Sequence, residues 1–128
     1  TLQACTAMSM ILITHDLGVV AGIAHRVAVM YAGRLVELAP TSEIFRAPRH
    51  PYTQGLLASV PRLDSPRGRA LTPIAGLPPD LSNLPSGCPF RVRCPRAMPR
   101  CADAYPARTQ LSASHYVHCY AVEEEGAS

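Results

Sequence analysis

The chain opens with an apolar run, Met8 to Ile13, that is bounded by polar residues and too short to span a bilayer. A continuous run of this length predicts a strand buried on both faces, as in a parallel sheet. Thr14-His15-Asp16 would then lie at the strand's carboxyl end, followed at once by a small-residue helix over Leu17 to Ala24. Thr1 to Ala7 reads as the tail of a helix leading into that strand. From Arg26 to Tyr31 the pattern alternates, with Val27, Val29 and Tyr31 on one side. Ala32-Gly33 is the turn, with Gly33 suited to a left-handed position, and Arg34 to Leu38 returns as the partner strand.

Beyond the hairpin, Pro40-Thr41-Ser42-Glu43 predicts a helix start, with a hydroxyl as cap and Glu43 in a first turn where the helix dipole favours it. Ile44 and Phe45 are its apolar contacts and Pro48 ends it. A second helix begins at His50-Pro51, places Tyr52, Leu56 and Val60 on one face, and closes at Pro61. Gly55 weakens it by roughly 1 kcal/mol relative to alanine. Arg62 to Gly87 has no periodicity and reads as an extended connector. From Cys88 to Tyr120 cysteines, arginines and prolines dominate, and few side chains offer an apolar core. Ala121 to Ser128, with Glu123-Glu124-Glu125, is expected to be disordered. The resulting division is 1–61, a connector over 62–87, a cysteine-rich unit over 88–120 and an acidic tail over 121–128.

Composition narrows the function classes. The 128 residues include 13 prolines, and the formal net charge is +3. That charge is too modest, and the aromatics too sparse among the basic residues, for a nucleic-acid binder. All 12 cationic residues are arginines. Without a lysine the chain cannot contain a phosphate-binding G-x-x-x-x-G-K-[ST] loop. No run resembles a signal peptide or a membrane span. A buried parallel strand needs neighbours on both sides, so the chain is expected to be the C-terminal piece of a longer protein.

His15 is the first candidate for chemistry. In open α/β sheets ligands bind outside the carboxyl ends of strands, beside helix N-termini that favour anions. Position alone supports either a phosphate contact or a histidine that satisfies local hydrogen bonds. The second candidate is the set Cys88, Cys94, Cys101 and Cys119, spaced C-x5-C-x6-C-x17-C. Disulfides suit a secreted chain. A zinc site is chemically possible, with His115 or His118 as alternative ligands, but it usually offers tight C-x2-4-C pairs. A cubane iron–sulfur cluster takes four thiolates at wider spacing. Arg91, Arg93, Arg96 and Arg100 would offset cluster charge or form a solvated basic face. His118 is a candidate donor beside Cys119, and Cys5 reads as a buried or free thiol.

The phrase ILITHDLGVVAGIAHRVAVMYAGRLVE resembles the end of the ATP-binding domain of ABC transporters, in the oligopeptide/dipeptide importer branch. The likeness continues through PTSEIFRAPRHPYTQGLLASVP and GCPFRVRCPRAMPRC, so it covers nearly the whole chain. It implies an α/β fold, the C-terminal portion of a P-loop nucleotide-binding domain with an irregular cysteine-rich extension. It implies that His15 is the switch histidine, which hydrogen-bonds the ATP γ-phosphate and helps place the attacking water. Asp16 is read as the cap of the following helix rather than a catalytic group. His25 replaces a usual acidic residue and is assigned to the surface. His50 and Tyr52, in RHPYTQGLL, are assigned to helix initiation and packing.

The resemblance further implies ATP with Mg in the intact subunit, and a four-iron four-sulfur cluster on the four cysteines, with zinc as the alternative. Implied partners are a second ATP-binding subunit, transmembrane permease subunits and, indirectly, a peptide-binding protein. The implied location is the cytoplasmic face of the cell membrane. Walker A, Q-loop, signature and Walker B motifs are absent from these residues, so the chain alone is expected neither to bind ATP tightly nor to hydrolyse it. The alternative reading is a stand-alone, non-catalytic metal-binding interaction module.

Overall fold

A computed structural model describes residues 2–61 and 70–126, except for the side chains of Leu2 and Gln3. The first part of the expected connector, 62–69, and the last two residues of the expected tail lie outside the described residues. The fold is mixed α/β around one four-stranded antiparallel sheet of order β1-β2-β4-β3. Its strands are β1 (Arg26–Tyr31), β2 (Arg34–Pro40), β3 (Thr109–Gln110) and β4 (Tyr116–Val117). The helices are α1 (Leu2–Thr6), α2 (Leu17–Ile23), α3 (Thr41–Arg46), α4 (Pro51–Ala58), α5 (Arg100–Asp103) and α6 (Tyr120–Gly126). A 3-10 turn spans Pro89–Val92. Among the described residues no helix is long and apolar enough to cross a membrane.

The hairpin forms as its pattern predicts. Val29 and Tyr31 are buried while Ala28 and Met30 face out. Ala32 and Gly33 both have positive φ, +49° and +75°, the mirror-image turn whose twist suits a two-residue hairpin. The register shifts between Val29, opposite Glu37, and Met30, opposite Leu35, which leaves Val36 as a bulge. Consecutive residues Val36 and Glu37 are buried as a result.

The apolar run does not form the expected strand. Residues 7–14 have no regular structure, and Ile11 and Ile13 are 93% and 94% exposed. Among the described residues there is no parallel strand for this backbone to pair with, so apolar content alone gives it no ladder. The helix after it forms nonetheless. Asp16 Oδ1 accepts from the N–H groups of Gly18 and Val19 at 2.9 and 3.1 Å, a cap built from local residues only.

Two further helix starts differ in mechanism. No side chain caps α3; the Thr41 hydroxyl instead donates to Ala24 O at 2.6 Å and ties α3 to the end of α2. At α4 the cap is His50, whose Nδ1 accepts from Tyr52 N–H at 3.0 Å. Helix α4 ends at Ala58, two residues before Val60, and Ser59 caps it by donating to Gly55 O at 2.8 Å. Gly55 has a packing role: a Cβ there would lie 2.7 Å from the Ile74 side chain. Ile74 thereby reaches the core. The Arg93 guanidinium fastens the same connector residues by donating to Ala75 O at 3.0 Å and Ile74 O at 3.4 Å.

The cysteine-rich segment was expected to be poor in core side chains, but it shares the core of the hairpin. Phe90 is 2% exposed and its ring meets Tyr31, Tyr52 and His50 at centroid distances of 5.1, 5.3 and 5.9 Å. Strand β4 pairs with the central strand, Glu37 opposite Val117, and Val117 is fully buried.

The acidic tail is likewise not disordered over the described residues. Ala121 and Val122 bury the inner face of α6, and its glutamates find arginines. Glu125 pairs with Arg49 at 2.9 Å and with Arg96, while Glu123 and Glu124 each lie 3.3 Å from Arg100. Hydrogen bonds from Arg96 and Arg49 hold the Glu125 carboxyl below its ordinary range. A run of three like charges is therefore ordered by opposite charges from distant segments.

Candidate functional site

Phe90, His50 and the start of α6 surround a cavity of about 20 Å³. Cys88, Cys94, Cys101 and Cys119 all line it, with His50 and His118 among the other wall residues. The spacing of the cysteines is converted into proximity by three local devices. Cys88 begins the 3-10 turn and its N–H donates to Cys101 O at 2.8 Å. That approach requires glycine just before it: Gly87 has φ +67°, and a Cβ there would lie 2.2 Å from Cys101 O. Cys94 sits on the next turn, its sulfur 3.4 Å from Arg96 N. Cys119 directly precedes α6, and its carbonyl accepts from Glu123 N–H.

Burial pushes three of these thiols up. It lifts Cys94 to about 11 against the opposing Arg96 backbone N–H, with the neighbouring cysteines adding to the rise. Burial raises Cys88 and Cys119 too, and backbone N–H groups of Phe90 and of Val122 and Ala121, respectively, oppose it. These three therefore remain protonated near neutral pH unless a cation displaces the proton. Among the described residues no group of three or more His, Cys, Asp or Glu is arranged to hold a metal ion. The four thiols share a cavity without converging on a single point.

The histidines flanking this segment have other employment. His118 Nδ1 donates to Pro106 O at 3.0 Å, and its ring lies against Tyr105 and Tyr116. His115 is not available to the cysteines. Its Nδ1 lies 2.8 Å from Glu43 Oε2 and its Nε2 2.8 Å from Glu37 Oε1, and the residue is 5% exposed. Glu37, fully buried, also accepts from Arg49 N–H at 2.8 Å and His50 N–H at 2.9 Å. One carboxylate thus joins β2, the start of α4 and the turn before β4. Sequence reasoning missed this hub, because Glu37 and His115 are 78 residues apart. The only hint was an acidic residue at an otherwise apolar strand position. His50 is held neutral, lowered to about 4 chiefly by burial, with Glu37 acting in the opposite direction.

His15 lies outside this cavity. It is exposed on the bend between the irregular run and α2, beside Asp16, whose N–H donates to Thr14 Oγ1 at 3.0 Å. The structure does not bring His15 to the four cysteines. His25 is exposed, as expected of a surface residue, and Cys5 is an exposed free thiol.

Residues 36–101 match the family model described as "Oligopeptide/dipeptide transporter, C-terminal region". The chain is 57% identical over 119 residues to the dipeptide transport ATP-binding protein DppD of Bacillus subtilis, covering 93% of this chain and 35% of that protein. It is 54% identical over 109 residues to the oligopeptide transport ATP-binding protein OppD of the same organism, covering 85% and 30%. With OppD of Mycobacterium tuberculosis the identity is 48% over 118 residues, covering 92% and 19%. The chain thus spans about a third or less of the length of these relatives. The match runs from the bulge of β2 through α4 to Cys101, so it takes in Glu37, the start of α4 that it holds and three of the four cavity cysteines, and the chain belongs to the oligopeptide/dipeptide transporter C-terminal region family.

Proposed function

We propose that this chain is the C-terminal portion of an ATP-binding subunit that energises import of di- or oligopeptides. The observation that carries this reading is the identity of 57% with a dipeptide transport ATP-binding protein over 93% of the chain. In that role His15 acts as a γ-phosphate sensor. A compact imidazole at the bend after an apolar run, with the adjacent helix capped by Asp16, can donate to a terminal phosphate and offset charge during phosphoryl transfer. ATP and Mg belong to the intact subunit, whose partners are a second such subunit and permeases in the membrane. The isolated chain neither binds ATP tightly nor hydrolyses it.

The four cysteines hold a four-iron four-sulfur cluster in this reading. The number and type of donors fit: four thiols line one cavity. The cavity is narrow, about 20 Å³, so the four thiols would spread to hold a cluster. When bound, such a group would supply a four-point crosslink among the segments that carry the cysteines.

The test has two arms. His15→Ala in the chromosomal gene should abolish uptake of a labelled dipeptide while the protein accumulates normally; undiminished uptake overturns the sensor role. Anaerobic purification should yield iron and acid-labile sulfide in equal amounts. One equivalent of zinc without sulfide overturns the cluster.

A further inference from the structure

We propose that α6 is a lid on the four-thiol cavity, latched by Glu123, Glu124 and Glu125 against Arg49, Arg96 and Arg100. This inference builds on the cavity as a binding site and adds how it is opened. The lid's hinge carries a ligand candidate: Cys119 immediately precedes α6, and Tyr120 and Ala121 form part of the cavity wall. Each arginine of the latch adjoins another part of that wall. Arg49 precedes His50, Arg96 follows Cys94 by two residues, and Arg100 precedes Cys101. Glu125 bridges Arg49 and Arg96, so one carboxylate spans the α4 side and the cysteine side of the cavity. Arg96 and Arg100 also donate to the carbonyls of Ala121 and Tyr120, at 3.3 and 3.1 Å, which fastens the first turn of the lid.

The cavity is narrow, about 20 Å³, and only partly open to solvent, so moving a wall widens access to its thiols. Among the other walls, His50 and Phe90 belong to the aromatic core, and Cys88 and Cys101 are buried in the same core. Helix α6 ends the described chain and is held on its outer face by ion pairs whose side chains are 35–61% exposed. The inner face of α6 is buried through Ala121 and Val122, and the outer pairs, individually weak and screened by salt, are the part of its attachment that salt and substitution loosen. Release would pivot α6 about Cys119, separate Ala121 from the cavity and admit iron, sulfide or a thiol reagent. Closure would restore the pairs and retain what is bound.

The test reads access by the rate at which uncharged N-ethylmaleimide modifies each cysteine, resolved by peptide mass spectrometry. It uses the full chain, reduced and dialysed against a chelator, with exposed Cys5 as internal reference. In the triple variant Glu123→Gln/Glu124→Gln/Glu125→Gln, Cys94 and Cys119 should react about tenfold faster than in the parent, with Cys5 unchanged. Raising NaCl from about 0.05 to about 1 M should accelerate the same two sites in the parent chain. Unchanged rates in both arms overturn the lid, as does a parent chain in which Cys94 and Cys119 already react as fast as Cys5. If circular dichroism shows that the variant has lost its fold, the salt arm on the parent decides. Because no metal is present, failure here leaves the cluster to be judged by iron and sulfide analysis.

Discussion

Residues 4–24 and the body that begins at β1 are both rich in apolar side chains, yet the buried core lies in the body. In the first region Ile11, Ile13 and Ile23 are exposed, and apart from the Thr41 hydroxyl on Ala24 O the hydrogen bonds described above are local: Thr14 with Asp16, Asp16 with Gly18 and Val19. In the body, Val29, Tyr31, Ile44 and Phe90 come from segments up to 61 positions apart and close on one another. The contrast separates two kinds of structural information. A cap or tight turn is completed by neighbours in sequence, whereas a buried strand exists only when its ladder partners are present.

The contrast can be broken most severely at Glu37. Glu37→Ala removes the acceptor for two backbone N–H groups and the partner of buried His115, and should cost about 4 kcal/mol. The urea midpoint of the body, followed by tyrosine fluorescence, should fall accordingly.

Acid acts on the body next. His50 sits at about 4 in the folded chain and near 6.5 when unfolded, so between those values the unfolded chain binds more protons. Its contribution is complete above pH 6.5 and is lost as pH falls toward 4, by up to about 3 kcal/mol. A urea midpoint that is flat from pH 7 to about 4.5, once corrected with a His50→Gln chain, would contradict this.

Asp16→Ala should cost about 1 kcal/mol, but only locally. Amide exchange at Gly18 and Val19 should quicken while the midpoint of the body stays where it was. The smallest effect is expected at Ile13→Asp, within about 0.5 kcal/mol by chemical denaturation, because the side chain already faces water. A large loss there would show that the first region packs on the body after all.

The same division explains what could be read in advance. The hairpin was legible because Val27, Val29 and Tyr31 alternate and Gly33 supplies a left-handed residue. Helices α2 and α4 were legible from Asp16 and from His50-Pro51. The four cysteines were recognisable as a set, though their shared cavity depends on Gly87 lying against the Cys101 backbone. His115 was read as a spare metal ligand because nothing near it in sequence announces Glu37 and Glu43. The acidic tail was read as disordered for the same reason, since Arg49 lies 76 positions from Glu125. The apolar run failed in the opposite sense: its pattern states a preference for burial and names no partner.

The Glu37 hub also sets an order of events on the ribosome. The β1–β2 hairpin can close as soon as it emerges, since its turn joins adjacent residues. Glu37 can take the N–H groups of Arg49 and His50 soon after, but His115 arrives only once 78 further residues are made. Until then the carboxylate lacks one of its partners, and β4, whose Val117 lies opposite Glu37, cannot complete the sheet.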